Sequence, residues 1–129
     1  MSESYFFDTY ALIEIYKGSK NYEKYSKGVN LILNKLNLME FALFLIRENK
    51  ESEIKDTFEK MSTFIVDYND EILINAAKMK NRYAKEKLSF VDCIGYLLAK
   101  EHGAKFLTGD SKFESKDNVE FVKWANETG

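Results

Sequence analysis

Proline is absent from this chain, and cysteine and histidine occur once each. A lone Cys93 cannot close an internal disulfide, so a reducing, cytosolic compartment is expected. No apolar run approaches the ~20 residues that span a bilayer, and no membrane segment is predicted. The opening MSESYFF lacks a basic stretch followed by a long apolar one, so it is not read as a secretory signal. A net charge of −2 excludes a globally basic coat for nucleic acid, though not a local basic stripe. Low-complexity tracts and internal repeats are missing, as are Walker and dinucleotide glycine patterns; Thr108-Gly109-Asp110 is too short to cradle a phosphate. Without proline, punctuation falls to Gly, Asn, Asp and Ser.

What is present suits one compact domain over residues 1–129. The chain has 129 residues and 45% hydrophobic content. A chain this size buries roughly two-thirds of its unfolded surface. Strands are predicted at Tyr5–Phe7, Val29–Leu33, Thr63–Val66, Lys105–Thr108 and Val119–Val122. Helices are predicted at Ala11–Tyr16, Ser19–Lys27, Phe41–Ile46, Lys50–Met61, Glu71–Ala84 and from Ser89 to the cap at Gly103. Asn37 and Glu40 stand in a capping-box frame, as do Ser89 and Asp92. Strands separated by helices predict an α/β fold with a mainly parallel central sheet flanked by helices. The strand order is not readable, because two connections contain two helical segments each.

Four acids stand out. Asp8 follows the first strand directly, and Asp110 follows the fourth by one Gly. Glu40 and Asp92 are expected in first helical turns, where the helix dipole favours a carboxylate. Loops after the carboxyl ends of parallel strands gather on one edge, so the four are expected to meet there. Two carboxylates ~4 Å apart repel by about 4 kcal/mol at an effective dielectric near 20. A proton or a cation must neutralise such a group. Oxygen ligands without His or Cys favour Mg²⁺ or Mn²⁺. Two ions of this kind would activate a water and stabilise the leaving oxygen of a phosphodiester.

The stretches FFDTYALIEIY, NLMEF and LSFVDCIGYLLAKEHGAKFLTGDSKF carry a resemblance. Taken in order, they resemble the PIN domain, the metal-dependent ribonuclease fold of VapC-type toxins. The resemblance spans essentially the whole chain and implies a Rossmann-like three-layer fold. It further implies a single-strand-directed endoribonuclease using Mg²⁺ or Mn²⁺, commonly homodimeric and held inactive by an antitoxin protein. Asp8, Glu40, Asp92 and Asp110 take the family's acidic, metal-binding positions. Thr9 takes the hydroxyl position beside the first acid, and Thr108 the hydroxyl that orients the site. Asn34 and Asn37 depart from the usual Ser and Thr. The Gly often found after the glutamate is absent, and Ser111-Lys112 lacks an additional acid.

Each of these acids also has a plain structural use as a helix cap or turn residue. Asp67 follows a predicted strand too, but Tyr68, Asn69 and Asp70 make its surroundings turn and cap chemistry. Lys17, Lys20, Lys24 and Lys27 recur at helical spacing with Tyr22 and Tyr25 nearby, a candidate RNA-binding stripe or a solvated face. Lys78, Lys80, Arg82, Lys85 and Lys87 form a second basic region. His102 suits a helix C-terminus, Cys93 a small buried position, and Trp124 the core. The leading expectation is a metal-dependent endoribonuclease acting as the toxin of a toxin–antitoxin pair. The alternatives are an RNA-processing nuclease without an antitoxin, or a degenerate module kept for dimerisation or docking. A small-molecule phosphohydrolase would need an Asp-x-Asp motif that Asp8-Thr9-Tyr10 lacks.

Overall fold

The computed structural model describes residues 3–123. Trp124 therefore lies outside the described residues. Four strands form one sheet: β1 (Ser4–Phe7), β2 (Asn30–Ile32), β3 (Lys105–Thr108) and β4 (Val119–Phe121). Their order is β2-β1-β3-β4. All neighbours are parallel, with Phe6 opposite both Ile32 and Phe106. Among the described residues five α-helices surround it: α1 (Thr9–Lys17), α2 (Lys35–Arg47), α3 (Ile54–Met61), α4 (Asp70–Arg82) and α5 (Phe90–Glu101).

Alternation along the strands explains the layers, because successive side chains in a strand point to opposite faces. Phe6 and Phe106 point to one face and pack with Ile72, Met79, Tyr96 and Leu98 from α4 and α5. Tyr5, Phe7 and Leu107 point to the other and pack with Leu12, Leu38, Phe41 and Leu45 from α1 and α2. Both strands are covered twice over, which is why they read as continuous apolar runs. The expected three-layer α/β architecture is the one observed.

Three predicted elements are corrected. Thr63–Val66 is not a strand of the sheet. Ser62–Phe64 forms a 3-10 turn, and a single parallel bridge joins Ile65 to Leu33. Asn34 Nδ2 donates to the carbonyl of Val66 at 2.8 Å, so the ladder ends there. Ser19–Lys27 is not an α-helix but a 3-10 segment at Lys20–Tyr25, closed off by Ser26. Gly18, at φ +72°, ends α1 in the left-handed region and separates the two. In α2 the box is formed one frame earlier. Asn34 Oδ1 accepts from the Leu36 amide at 3.0 Å, and Asn37 Oδ1 accepts from the Asn34 amide at 3.1 Å. Glu40 therefore lies in the second helical turn, beyond the strongest part of the dipole.

Candidate active site

The strand order reverses between β1 and β3. The chain leaves β1 for β2 on one side, and later fills β3 and β4 on the other. A crevice opens at such a switch point, beyond the carboxyl ends of the two strands. Asp8 ends β1 there, with its amide donating to the Leu107 carbonyl at 3.1 Å. Asp8 is also the N-cap of α1; its Oδ1 accepts from the Ala11 amide at 2.7 Å. Thr108 ends β3, fully buried, and its Oγ1 accepts from the Asp110 amide at 3.0 Å. Asp110 Oδ1 in turn accepts from the Lys112 amide at 2.9 Å. Asp92 lies in the first turn of α5, where its amide donates to Ser89 Oγ at 3.0 Å.

Glu40 reaches the crevice from α2 through Thr9. The Thr9 hydroxyl donates to Glu40 Oε1. Asn37 Nδ2 donates to Thr9 Oγ1 at 3.3 Å. Thr9, Glu40, Ser89 and Asp92 share a cleft of about 390 Å³, lined also by Phe44 and Arg47.

The acids act on one another electrostatically. Burial pushes the Asp8 carboxyl up to about 8; Asp92 and Asp110 add to the shift, while hydrogen bonds from Thr108 and the Ala11 amide oppose it. Burial also pushes Asp92 up to about 6, with Glu40 and Asp110 adding and with Ser89 and Lys112 opposing. All four predicted acids therefore fall in one electrostatic neighbourhood, linked through Asp92. They are not drawn into a coordination shell: among the described residues no three His, Cys, Asp or Glu side chains stand as a metal-holding group. Asp8, Glu40 and Asp110 each have an oxygen engaged by a donor of the protein. The donor chemistry still fits a hard divalent cation, since it consists of carboxylates alone.

The predicted lysine stripe does not form one helix face. Lys17 belongs to α1, whereas Lys20 and Lys24 belong to the 3-10 segment and Lys27 lies beyond it. A period of three residues per turn breaks the helical register on which the stripe depended. Tyr22 and Tyr25 are buried and offer no ring to a base. Lys17 Nζ lies 5.9 Å from the centre of the ring of Phe44, which lines the cleft. Asp67 is exposed and precedes the Asn69 cap of α4, as expected of turn chemistry. Burial pushes the Cys93 thiol up to about 11, the state of an inert packed cysteine. Two contributors were missed in the sequence. Asn37 orients Thr9, and the charge of Lys112 acts on Asp92. The short spacing from Asp110 to Lys112, an Asx-type turn, was the available signal for the second.

The PIN domain family model matches residues 5–119. The chain belongs to the PIN domain family. Solved structures show the same PIN fold. A toxin–antitoxin complex from Klebsiella pneumoniae aligns with a TM-score of 0.71 at 21% identity, covering 89% of this chain and 94% of that one. VapBC2 from Rickettsia felis, bound to a DNA fragment from its promoter, aligns at 0.67 and 16%, covering 95% and 99%. FitAcB from Neisseria gonorrhoeae aligns at 0.71 and 14%, covering 92% and 97%. At these identities the likeness concerns the fold. Among curated proteins no match was found. Among the described residues no helix of this PIN domain is long and apolar enough to cross a membrane.

Proposed function

We propose that this PIN domain is an endoribonuclease that depends on Mg²⁺ or Mn²⁺ and serves as the toxin of a toxin–antitoxin pair. The observation that supports the reading is the electrostatic coupling of Asp8, Glu40 and Asp110 to Asp92 near the β1/β3 switch point, with Asp8 and Asp92 held above ordinary carboxylate values. Asp8, Glu40, Asp92 and Asp110 are the residues that would hold the cation. A divalent ion supplies a lowered pKa for water and stabilises charge on the phosphoryl and leaving oxygens. The chain supplies the rest. Asp8 forms the buried floor, fixed by the Ala11 amide and Thr108. Thr9 and Asn37 orient Glu40. Asp92, which lines the cleft, is the carboxylate proposed to take the proton of the attacking water.

RNA is the proposed substrate, and an antitoxin protein and a second copy of the chain are the proposed partners, in the cytoplasm. A structural neighbour that is a toxin–antitoxin complex supports the partner. The test is cleavage of single-stranded RNA with Mn²⁺. Asp8→Asn and Asp92→Asn are each expected to lower the rate at least about a hundredfold. Parental rates in both variants would end the proposal.

A second reading is a domain of the same fold kept for docking or dimerisation, without catalysis. It is favoured by the lack of a closed metal-holding group among the described residues. Calorimetric titration separates the two. Heat of Mn²⁺ binding at millimolar concentration supports the nuclease, and its absence supports the docking module.

A further inference from the structure

A second cleft, of about 410 Å³, opens between α4 and the start of α5, lined by Ala77, Lys80, Asn81, Ala84, Lys87 and Phe90. Among the described residues no carboxylate lines it. Glu86, the acid beside Lys87 in sequence, is held by Lys116 at 2.6 Å. It therefore leaves the charges of Lys80 and Lys87 standing. Lys112 joins this group, with its Nζ 3.4 Å from the Lys87 carbonyl, and its charge also acts on Asp92. Three cations thus run from the acid cluster into the second cleft.

Phe90 is the first residue of α5 and is 55% exposed. Lys80 stands 5.0 Å from the centre of its ring and is itself fixed by the Leu88 carbonyl at 2.5 Å. Lys87 sits at φ +55°, a backbone region that favours glycine or asparagine. The other described non-glycine residues with positive φ are Asn49 and Asn118. A lysine here places a cation at the lip of the cleft despite the backbone strain. Ser89 lines the acid cleft and Phe90 lines this one. Consecutive Cα atoms lie ~3.8 Å apart, so the two clefts meet at one helix start.

An exposed ring beside Lys80 and Lys87, whose charges no carboxylate in the lining meets, suits a flat base that carries phosphates. We propose that this cleft is a nucleotide subsite of the active site, in which Phe90 stacks on a base of single-stranded RNA and Lys80, Lys87 and Lys112 hold the flanking phosphates. The inference rests on the RNA-cleaving reading above. A strand with its reacting phosphate over the acids would pass Phe90 within a short run of nucleotides.

The experiment is fluorescence anisotropy of the full chain with a labelled single-stranded RNA of about a dozen nucleotides, in chelator so that no cleavage occurs. Phe90→Ala is expected to weaken binding by about 5- to 150-fold, the range for one base–aromatic stack, and Phe90→Tyr to restore it. Lys87→Gly is expected to keep or raise the Tm while flattening the slope of log affinity against log salt by about 0.7, the share of one phosphate contact. Parental affinity in Phe90→Ala, or a parental salt slope in Lys87→Gly, would overturn the subsite. Unchanged RNA affinity with a Phe90→Ala shift in sedimentation would overturn it too, by showing a protein contact. Cleavage by the parent with Mn²⁺ is a separate readout. Where the parent cuts RNA and Phe90→Ala binds like the parent, the subsite alone fails. A parent that neither binds nor cuts RNA sinks both.

Discussion

Asp8 is a carboxylate where burial disfavours its charge, and its helix-capping bond to Ala11 does not fully offset that burial. This has a sign. An acid whose folded pKa is raised from 3.8 to about 8 keeps a proton in the native state that the unfolded chain has released. Stability of the metal-free protein is then fully present below the unfolded value and is lost as pH rises toward about 8. Asp92 adds to the loss up to about 6. The slope is at most ~1.4 kcal/mol per pH unit for each group. Asp8→Asn keeps the cap, because Asn and Asp cap helices about equally well. In thermal melts with chelator from about pH 5 to about pH 9, the variant is expected to melt above the parent, by a margin that widens with pH. A constant margin, or a parent that melts higher at the alkaline end, would contradict the placement of Asp8.

Helix α2 turns on Asn34 and Asn37. Asn34 caps the helix and also ties Val66. Asn34→Ala is expected to cost about 1–2 kcal/mol in urea denaturation. Asn37→Ala is expected to lower cleavage as well, since Asn37 holds Thr9 and Thr9 holds Glu40. The segment NKLNLME offers two overlapping capping frames, 34–37 and 37–40. Local sequence could not choose between them, because the choice depends on where β2 delivers the chain. Helix α5 is different. Ser89 and Asp92 offered a single frame, and Ser89 caps α5 in it, its Oγ accepting from the Asp92 amide. Gly95 in α5 lies against the sheet. A Cβ there would sit 2.7 Å from Phe6 Cε1 and 3.1 Å from Phe106 Cε1. Both rings are fully buried. Gly95→Ala is expected to destabilise by about 1–3 kcal/mol through overpacking, read as a lower urea midpoint.

For the whole molecule, the consequence of the switch point is that the site and the fold share their electrostatics. A cation that binds only the folded chain stabilises it by about 2.7 kcal/mol at a hundred times its Kd. Added Mn²⁺ is expected to raise the parent Tm and to leave Asp8→Asn nearly unmoved. An equal rise in both would place the ion elsewhere.

Short-range signals were legible: the aromatic run ending at Asp8, the Ser89 cap, and the strand and Gly before Asp110. They are legible because caps and side-chain periods act over a few residues, where the sequence alone sets the geometry. The α/β class follows from the same signals. The tertiary structure decided the β2-β1-β3-β4 order, the demotion of 63–66 to a bridge, and the scattering of Lys17, Lys20, Lys24 and Lys27. It also decided that Glu40 reaches the other acids from a second helical turn, through Thr9. Those outcomes depend on contacts between residues far apart in the chain, where loop closure and core packing, not local preference, select the arrangement.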